Sequence, residues 1–247
     1  MDIKQIRQHA QDENTLPEIL TELAKSKDRL TRQYVASNPN APIKILSKLS
    51  REFPEEIVAN PVEETVTKLA KDCSDDVRRT IASRNNLSEE IANGLAKDRS
   101  VKIRQQIAKN LHTPINTLKA LIDDCDSGVK KLVAGNPNTT VTILETLIHD
   151  RDLRVKKCVI DNPKTPAAIL KTWAASSQDL IRIGVAEHHK TPSATLDKLK
   201  SDRNKNVRKA VARNRNTTLE ILATLAKNED EMVTKIATRT INRINKL

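Results

Sequence analysis

The chain has 247 residues and a formal net charge of +11, with 43 Lys and Arg against 32 Asp and Glu. Its 4 glycines stand singly, its 3 cysteines lie far apart, and it holds one Trp, one Tyr and one Phe. This excludes a glycine-rich phosphate loop, a CxxC-type zinc or iron–sulfur motif and a row of aromatic side chains for stacking bases. A basic excess of this size argues for solubility and for acidic partners, and says nothing about the fold.

In chain order, residues 1–11 carry Ile3, Ile6 and Ala10 at helical spacing and are expected to form an N-terminal capping helix. The segment is too polar for a secretion signal, and no apolar run reaches the length of a membrane span, so a cytoplasmic protein with no membrane partner is expected. A repeat follows, with units starting at Asp12, Asn38, Asn60, Arg84, Asn110, Asn136, Asn162, His188 and Asn214. The interval is 26 residues except around Asn60, where it is 22 and then 24. The divergent piece is Arg51–Val62, where a short turn or kink is expected. A stub begins at Thr240, and Ile241, Ile244 and Leu247 form the apolar stripe of a C-terminal cap over 240–247.

Each unit has three parts. First comes a turn, as in Asn162-Pro163-Lys164-Thr165-Pro166. Thr113, Thr165 and Thr191 precede Pro and are expected to be N-caps with Pro at the first helical position. Thr15-x-x-Glu18 and Thr217-x-x-Glu220 match the capping box. Helix A follows, with apolar residues such as Ile143, Leu144 and Leu147. After a polar linker comes helix B, a short α or 3₁₀ helix, with Val77, Ile103, Val129, Val155, Ile181, Val207 and Val233 in one column. Four residues on stand Ile81, Ile107, Val133, Val159, Val185, Val211 and Ala237, followed by small residues such as Ala82, Ala108, Ala134, Ala186 and Ala212. Neither helix can bury its apolar face alone, but stacked copies can. The expected architecture is an all-α solenoid of about nine two-helix repeats, forming a single repeat domain over 1–247 with its repeats at 12–239.

The idealised unit N-P-x-T-P-x-x-I-L-x-x-L-A-x-D-x-x-x-x-V-R-x-x-V-A resembles the leucine-rich repeat variant family from Asp12 onward. That resemblance implies a right-handed superhelix of paired helices, the first of each pair sometimes 3₁₀. The units are also similar to HEAT-like repeats, including those of alkylation-repair DNA glycosylases, in which the second helices line the concave face. An iron–sulfur domain can precede the variant repeats. No cysteine stands before Cys73, so that cofactor is not carried over, and none other is expected.

Two charged columns recur. Asp72 and Arg78, Asp98 and Arg104, Asp124 and Lys130, Asp150 and Lys156, and Asp202 and Arg208 are each six residues apart, as in the acid–base ladder of HEAT-like repeats. Each acid is expected to bond its own base and that of the next unit, which makes this column structural. Where Ser replaces the acid, as at Ser176 before Arg182 and Ser26 before Arg32, the base is expected to be freer. The second column, Arg79, Lys131, Lys157, Lys209 and Lys235, has no acid at matching spacing. With Arg182 it forms the candidate nucleic-acid-binding set, a groove for a polyanion, set against the plainer reading of a solvated helix face.

The aromatics are absorbed by the repeat: Trp173 in the Leu column of helix A, Phe53 in the Val column of helix B, and Tyr34 in a half-buried column. Without stacking groups, any nucleic acid would be held by its backbone with little sequence preference. His188 and His112 read as polar turn substitutions rather than metal ligands, and no nucleophile–base pair stands out. The expected function is therefore a non-enzymatic binding module for an acidic macromolecule, nucleic acid or acidic protein. A protein–protein scaffold is the alternative, a divergent HEAT-like DNA glycosylase ranks third, and no small-molecule substrate is evident.

Overall fold

The structure is a computed structural model that describes residues 2–245. Those residues form nineteen α-helices and one 3₁₀ turn, with no strand among them. The chain divides into two compact units, Met1–Leu121 and Ile122–Leu247. The first holds α1 (Ile3–Gln11), α2 (Pro17–Leu23), α3 (Arg29–Ser37), α4 (Ile43–Leu49), α5 (Pro54–Ala59), α6 (Glu63–Leu69), α7 (Asp75–Ala82), α8 (Glu89–Leu95), α9 (Val101–Lys109) and α10 (Ile115–Ala120). The 3₁₀ turn Leu121–Asp123 comes next in sequence. The second unit holds α11 (Ser127–Gly135), α12 (Val141–Leu147), α13 (Leu153–Asp161), α14 (Ala167–Trp173), α15 (Asp179–Glu187), α16 (Ser193–Leu199), α17 (Lys205–Arg213), α18 (Leu219–Leu225) and α19 (Glu231–Ile244).

Even-numbered helices are the first of each pair and odd-numbered ones the second, giving the nine pairs that the repeat count implies. In each unit successive second helices pack together more extensively than successive first helices. Their apolar columns explain this: Val155, Ile181 and Val207 and, four residues on, Val159, Val185 and Val211 are fully buried. Leu144, Leu170, Leu196 and Leu222 from the first helices close the core from the other side. α1, the segment expected as an N-terminal cap, takes the place of a second helix in the stack. It packs on α3, and its Arg7 forms an ion pair with Asp28, the N-cap of α3.

The turn residues stitch the stack. Asn214 donates from Nδ2 to the carbonyls of Ala186 (2.7 Å) and His188 (3.0 Å) in the preceding repeat, while its Oδ1 accepts from the amide of Asn216 (2.9 Å). Asn38, Asn110 and Asn162 make the same bonds. His188 substitutes in kind: Nδ1 accepts from the Lys190 amide and Nε2 lies 3.1 Å from the Asn162 carbonyl, which fixes the Nε2–H tautomer. Thr240 takes the role at the end, donating to the Ala212 carbonyl, so α19 runs through the expected stub without a break. In the cap stripe Ile241 is half-buried and Ile244 exposed, while Leu247 lies outside the described residues.

Three expectations are corrected. The turn threonines are not N-caps. Thr113, Thr165 and Thr191 are buried, and their hydroxyls donate to the carbonyls of Ile107, Val159 and Val185 at the end of the preceding second helix. Thr15 and Thr217 do the same toward His9 and Val211, so neither forms a capping box; that motif occurs at Asp2 and Gln5. The true N-cap is the next residue, as at Thr140 and Thr218, or the Pro in its place. Trp173 is half-buried, unlike Leu147 and Leu199 in its column, because the indole is longer than the slot.

The irregular segment loses residues at two places. α5 is only 6 residues long and lacks the first turn of a second helix, with Phe53 filling the place of Val77. Asn60-Pro61-Val62 then enters α6 directly, without the clamping Thr. The stitch fails there: Asn60 Nδ2 is buried and unpaired, and so is Nε of Arg84, whose Nη1 bonds the Asn60 carbonyl.

Candidate anion-binding surface

The first basic column is a buried ion-pair ladder. Arg78 sends Nε to Asp98 Oδ2 (2.6 Å) and Nη2 to Asp98 Oδ1 (3.1 Å), while its Nη1 bonds the Asp72 carbonyl (2.6 Å). Arg182 repeats this with Asp202 (2.7 and 3.0 Å) and the Ser176 carbonyl (2.8 Å), and Lys130 reaches Asp150 (2.5 Å). The carboxylate partner thus stands about one repeat ahead. The acid six residues back offers only its backbone carbonyl, which Ser176 supplies as well as Asp72 does. This corrects the expected pairing of each acid with its own base and that of the next unit: the acid meets the base of the preceding unit. The hydrogen bond that Arg78 donates to Asp98 raises its guanidinium pKa. Burial alone would push Asp98 and Asp202 up, but the guanidinium and a backbone amide outweigh it and leave both below the ordinary carboxylate value.

Two corrections follow for the candidate residues. Arg182 is 5% exposed and fully engaged, so it is part of the scaffold and not of a contact surface. Arg32 is likewise held, by Glu52 and the Ser26 carbonyl. The base released by a missing acid is the one in the preceding repeat. Opposite Ser176 that base is Lys156, whose Nζ rests 4.9 Å over the Trp173 ring. Opposite Asn228 it is Arg208.

The second column is less uniform than its spacing suggests. Arg79, in the first unit, is exposed but ion-paired with Asp76 at 2.9 Å. In the second unit Lys157 is paired with Asp161, and Ile183 breaks the row. Lys131, Lys209 and Lys235 form no ion pair among the described residues; Lys131 and Lys209 are half-buried and Lys235 exposed.

The sequence reading passed over the continuation of this column along the helix. Arg213 follows Lys209 by four residues on α17, and Arg239 and Arg243 follow Lys235 by four and eight on α19. All three arginines are exposed and form no ion pair among the described residues. With Ile236 and Thr240 they line an open cleft of about 280 Å³. Neighbours four apart on a helix rise about 6 Å, and adjacent helices stand about 10 Å apart. The five cations therefore form one patch, with Arg213 and Arg243 in the last turns of their helices, where the backbone dipole favours positive charge. The second unit carries 23 Lys and Arg against 15 Asp and Glu, most of the chain's excess.

Among the described residues no cluster of three or more His, Cys, Asp or Glu is placed to hold a metal ion. No described helix is long and apolar enough to cross a membrane. No protein-family model matches the chain, and no curated protein matches it. Among solved structures it is similar to a leucine-rich repeat variant with a novel repetitive structural motif, at 21% identity over 88% of each chain with a TM-score of 0.64. It is also similar to an engineered protein (17% identity, 98% of this chain and 94% of that one, TM-score 0.40). A third is an archaeal HEAT-like repeats protein from Thermococcus onnurineus NA1 (14% identity, 100% and 98%, TM-score 0.25). The first of these shows the fold, and the other two add nothing to it.

Proposed function

Starting from a chain with the fold of the leucine-rich repeat variant, we propose a non-enzymatic binding module whose second unit docks a polyanion, namely the phosphate backbone of duplex nucleic acid. The carrying observation is that Lys209, Arg213, Lys235, Arg239 and Arg243 share two adjacent helices and that, among the described residues, Lys235 and the three arginines form no ion pair, while Lys209 is drawn only to Asp230. Free cations at this density exchange their counterions for phosphates, and the gain is independent of sequence. Lys131 extends the surface along the stack, while Lys157, tied to Asp161, and Arg79, tied to Asp76, contribute less.

The test is binding of labelled duplexes of unrelated sequence at low salt by fluorescence anisotropy. Arg213→Gln, Arg239→Gln and Arg243→Gln together should weaken every duplex alike, with helicity unchanged by circular dichroism. Unchanged affinity would refute the assigned patch. A second reading, an acidic protein partner, draws on Leu180 and Met232, which are 43% and 49% exposed on second helices of the same unit. Duplex failing to bind while an acidic protein does would favour it.

A further inference from the structure

The ion-pair ladder has a vacant rung at Asn228. In the filled rungs the acid uses both oxygens. Asp202 Oδ1 accepts from the Asn204 amide (2.8 Å) and from Arg182 Nη2 (3.0 Å), and Oδ2 accepts from Arg182 Nε (2.7 Å). Asp98 repeats this with Ser100 and Arg78. Asn228 keeps only half of the pattern. Its Oδ1 accepts from the Asp230 amide at 3.1 Å, which leaves an amide NH₂, a donor, where the second oxygen would stand.

Arg208 is nonetheless poised as its counterparts are. Its Nη1 bonds the carbonyls of Asp202 (2.9 Å) and Arg203 (3.3 Å), as Arg182 bonds Ser176. The residue is 8% exposed, and its Nε is buried with no partner. Its Nη2 has only a 3.5 Å contact with Glu229, whose carboxylate is 88% exposed and so largely solvated. Arg208 and Asn228 line an open cleft of about 330 Å³ together with Lys200, Arg203, Asp202 and Glu229. Of these, Lys200 and Arg203 are already paired with Asp197 and Asp179, and Asp202 with Arg182. A buried, unpaired guanidinium N–H beside an open cleft is a group that lacks its acceptor.

We propose that this cleft binds a carboxylate, such as an acidic side chain or chain terminus of a partner, which enters beside Asn228 and completes the rung. The ligand class follows from the slot. The intact rungs on Arg78 and Arg182 are carboxylates taken edge-on through Nε and Nη2, and the Asn228 amide offers a further donor to the same group. The cation that holds it, Arg208, is not one of the five in the α17–α19 patch, so the proposal stands or falls apart from the phosphate-backbone reading.

The experiment follows the Arg208 Nε–Hε signal by ¹⁵N NMR on the full chain, titrating sodium acetate against sodium chloride at equal ionic strength, with inorganic phosphate as a third arm. Acetate should move the signal saturably while chloride does not. In Asn228→Asp the rung is filled from within: the signal should already lie near its acetate-bound position, with the apparent acetate affinity at least tenfold weaker. The same variant should unfold at higher urea than the parent in acetate-free buffer. Acetate acting no differently from chloride, an undiminished acetate response in N228D, or no gain in urea resistance would each overturn the proposal. A phosphate shift equal to or larger than that of acetate would overturn the carboxylate assignment.

Discussion

Gly184→Ala probes how closely successive second helices are stacked. Most second helices place Ala after the second buried column, as at Ala134, Ala186 and Ala212, but α13 places Ile160 there. The added bulk is met across the interface by Gly184 of α15. A Cβ on Gly184 would sit 2.9 Å from Ile160 Cγ2, and Ile160 is fully buried with little room to yield. Replacing a helical Gly by Ala contributes about 1 kcal/mol of helix propensity. Overpacking a closed core costs about 1–3 kcal/mol. The sum is a net loss of roughly 1 kcal/mol where propensity alone would give a gain. Ile160→Ala by itself opens a cavity and should cost about 2–5 kcal/mol. In the double variant the new methyl enters the vacated space, so its cost should fall short of the sum of the singles by about 1 kcal/mol or more. Urea unfolding of the four proteins, followed by far-ultraviolet circular dichroism, closes the cycle. A stabilised G184A, additive with I160A, would refute the size exchange across α13 and α15.

Three further outcomes are expected. Asn214→Ala removes two hydrogen bonds to buried carbonyls and a third within its own turn. It should lower the unfolding free energy by about 2–4 kcal/mol; a loss below about 0.5 kcal/mol would show that the stitching is dispensable. Burial depresses the pKa of His188, with His189 and Lys190 adding to the effect against the Asn162 carbonyl and Asp161. Protonation would also remove its Nδ1 acceptor. The unfolded chain therefore takes up the proton first, so stability is full above pH ~6.5 and falls as pH drops below it. His188→Asn should flatten that slope in urea midpoints measured from neutral to mildly acidic pH, and an unchanged slope would contradict the assignment. Burial also raises the thiol pKa of Cys158, while Cys73 and Cys125 are exposed. Cys158 should react slowest with a thiol reagent in the native protein, and a rate equal to the other two would count against the burial.

The repeat made the fold readable. Columns such as Val155, Ile181 and Val207 recur at one spacing because each must enter the same slot in the next copy. What failed were inferences from neighbours in sequence. Thr165 before Pro166 looks like an N-cap, yet the tight turn aims its hydroxyl backward at the Val159 carbonyl. Asp202 precedes Arg208 by six residues, but its carboxylate faces Arg182, twenty residues earlier, because the stack brings the loop of one repeat beside the second helix of the one before. That shift of one repeat moved Arg182 from a candidate contact to the core of the ladder. It also made Lys156 and Arg208 the bases that lack the ladder's acid. The patch at Arg213, Arg239 and Arg243 was legible in principle as an i, i+4 continuation of Lys209 and Lys235. A reading made across the repeats, and not along each helix, passed over it.

The functional account rests on phosphate neutralisation by the α17–α19 patch, and the salt dependence of duplex affinity measures that neutralisation directly. Five phosphate contacts give a slope of log Kobs against log salt of about −4 to −5, which the Arg213, Arg239 and Arg243 triple Gln variant should reduce to about −2. No binding at low salt, or a slope that the triple variant leaves unchanged, would contradict it.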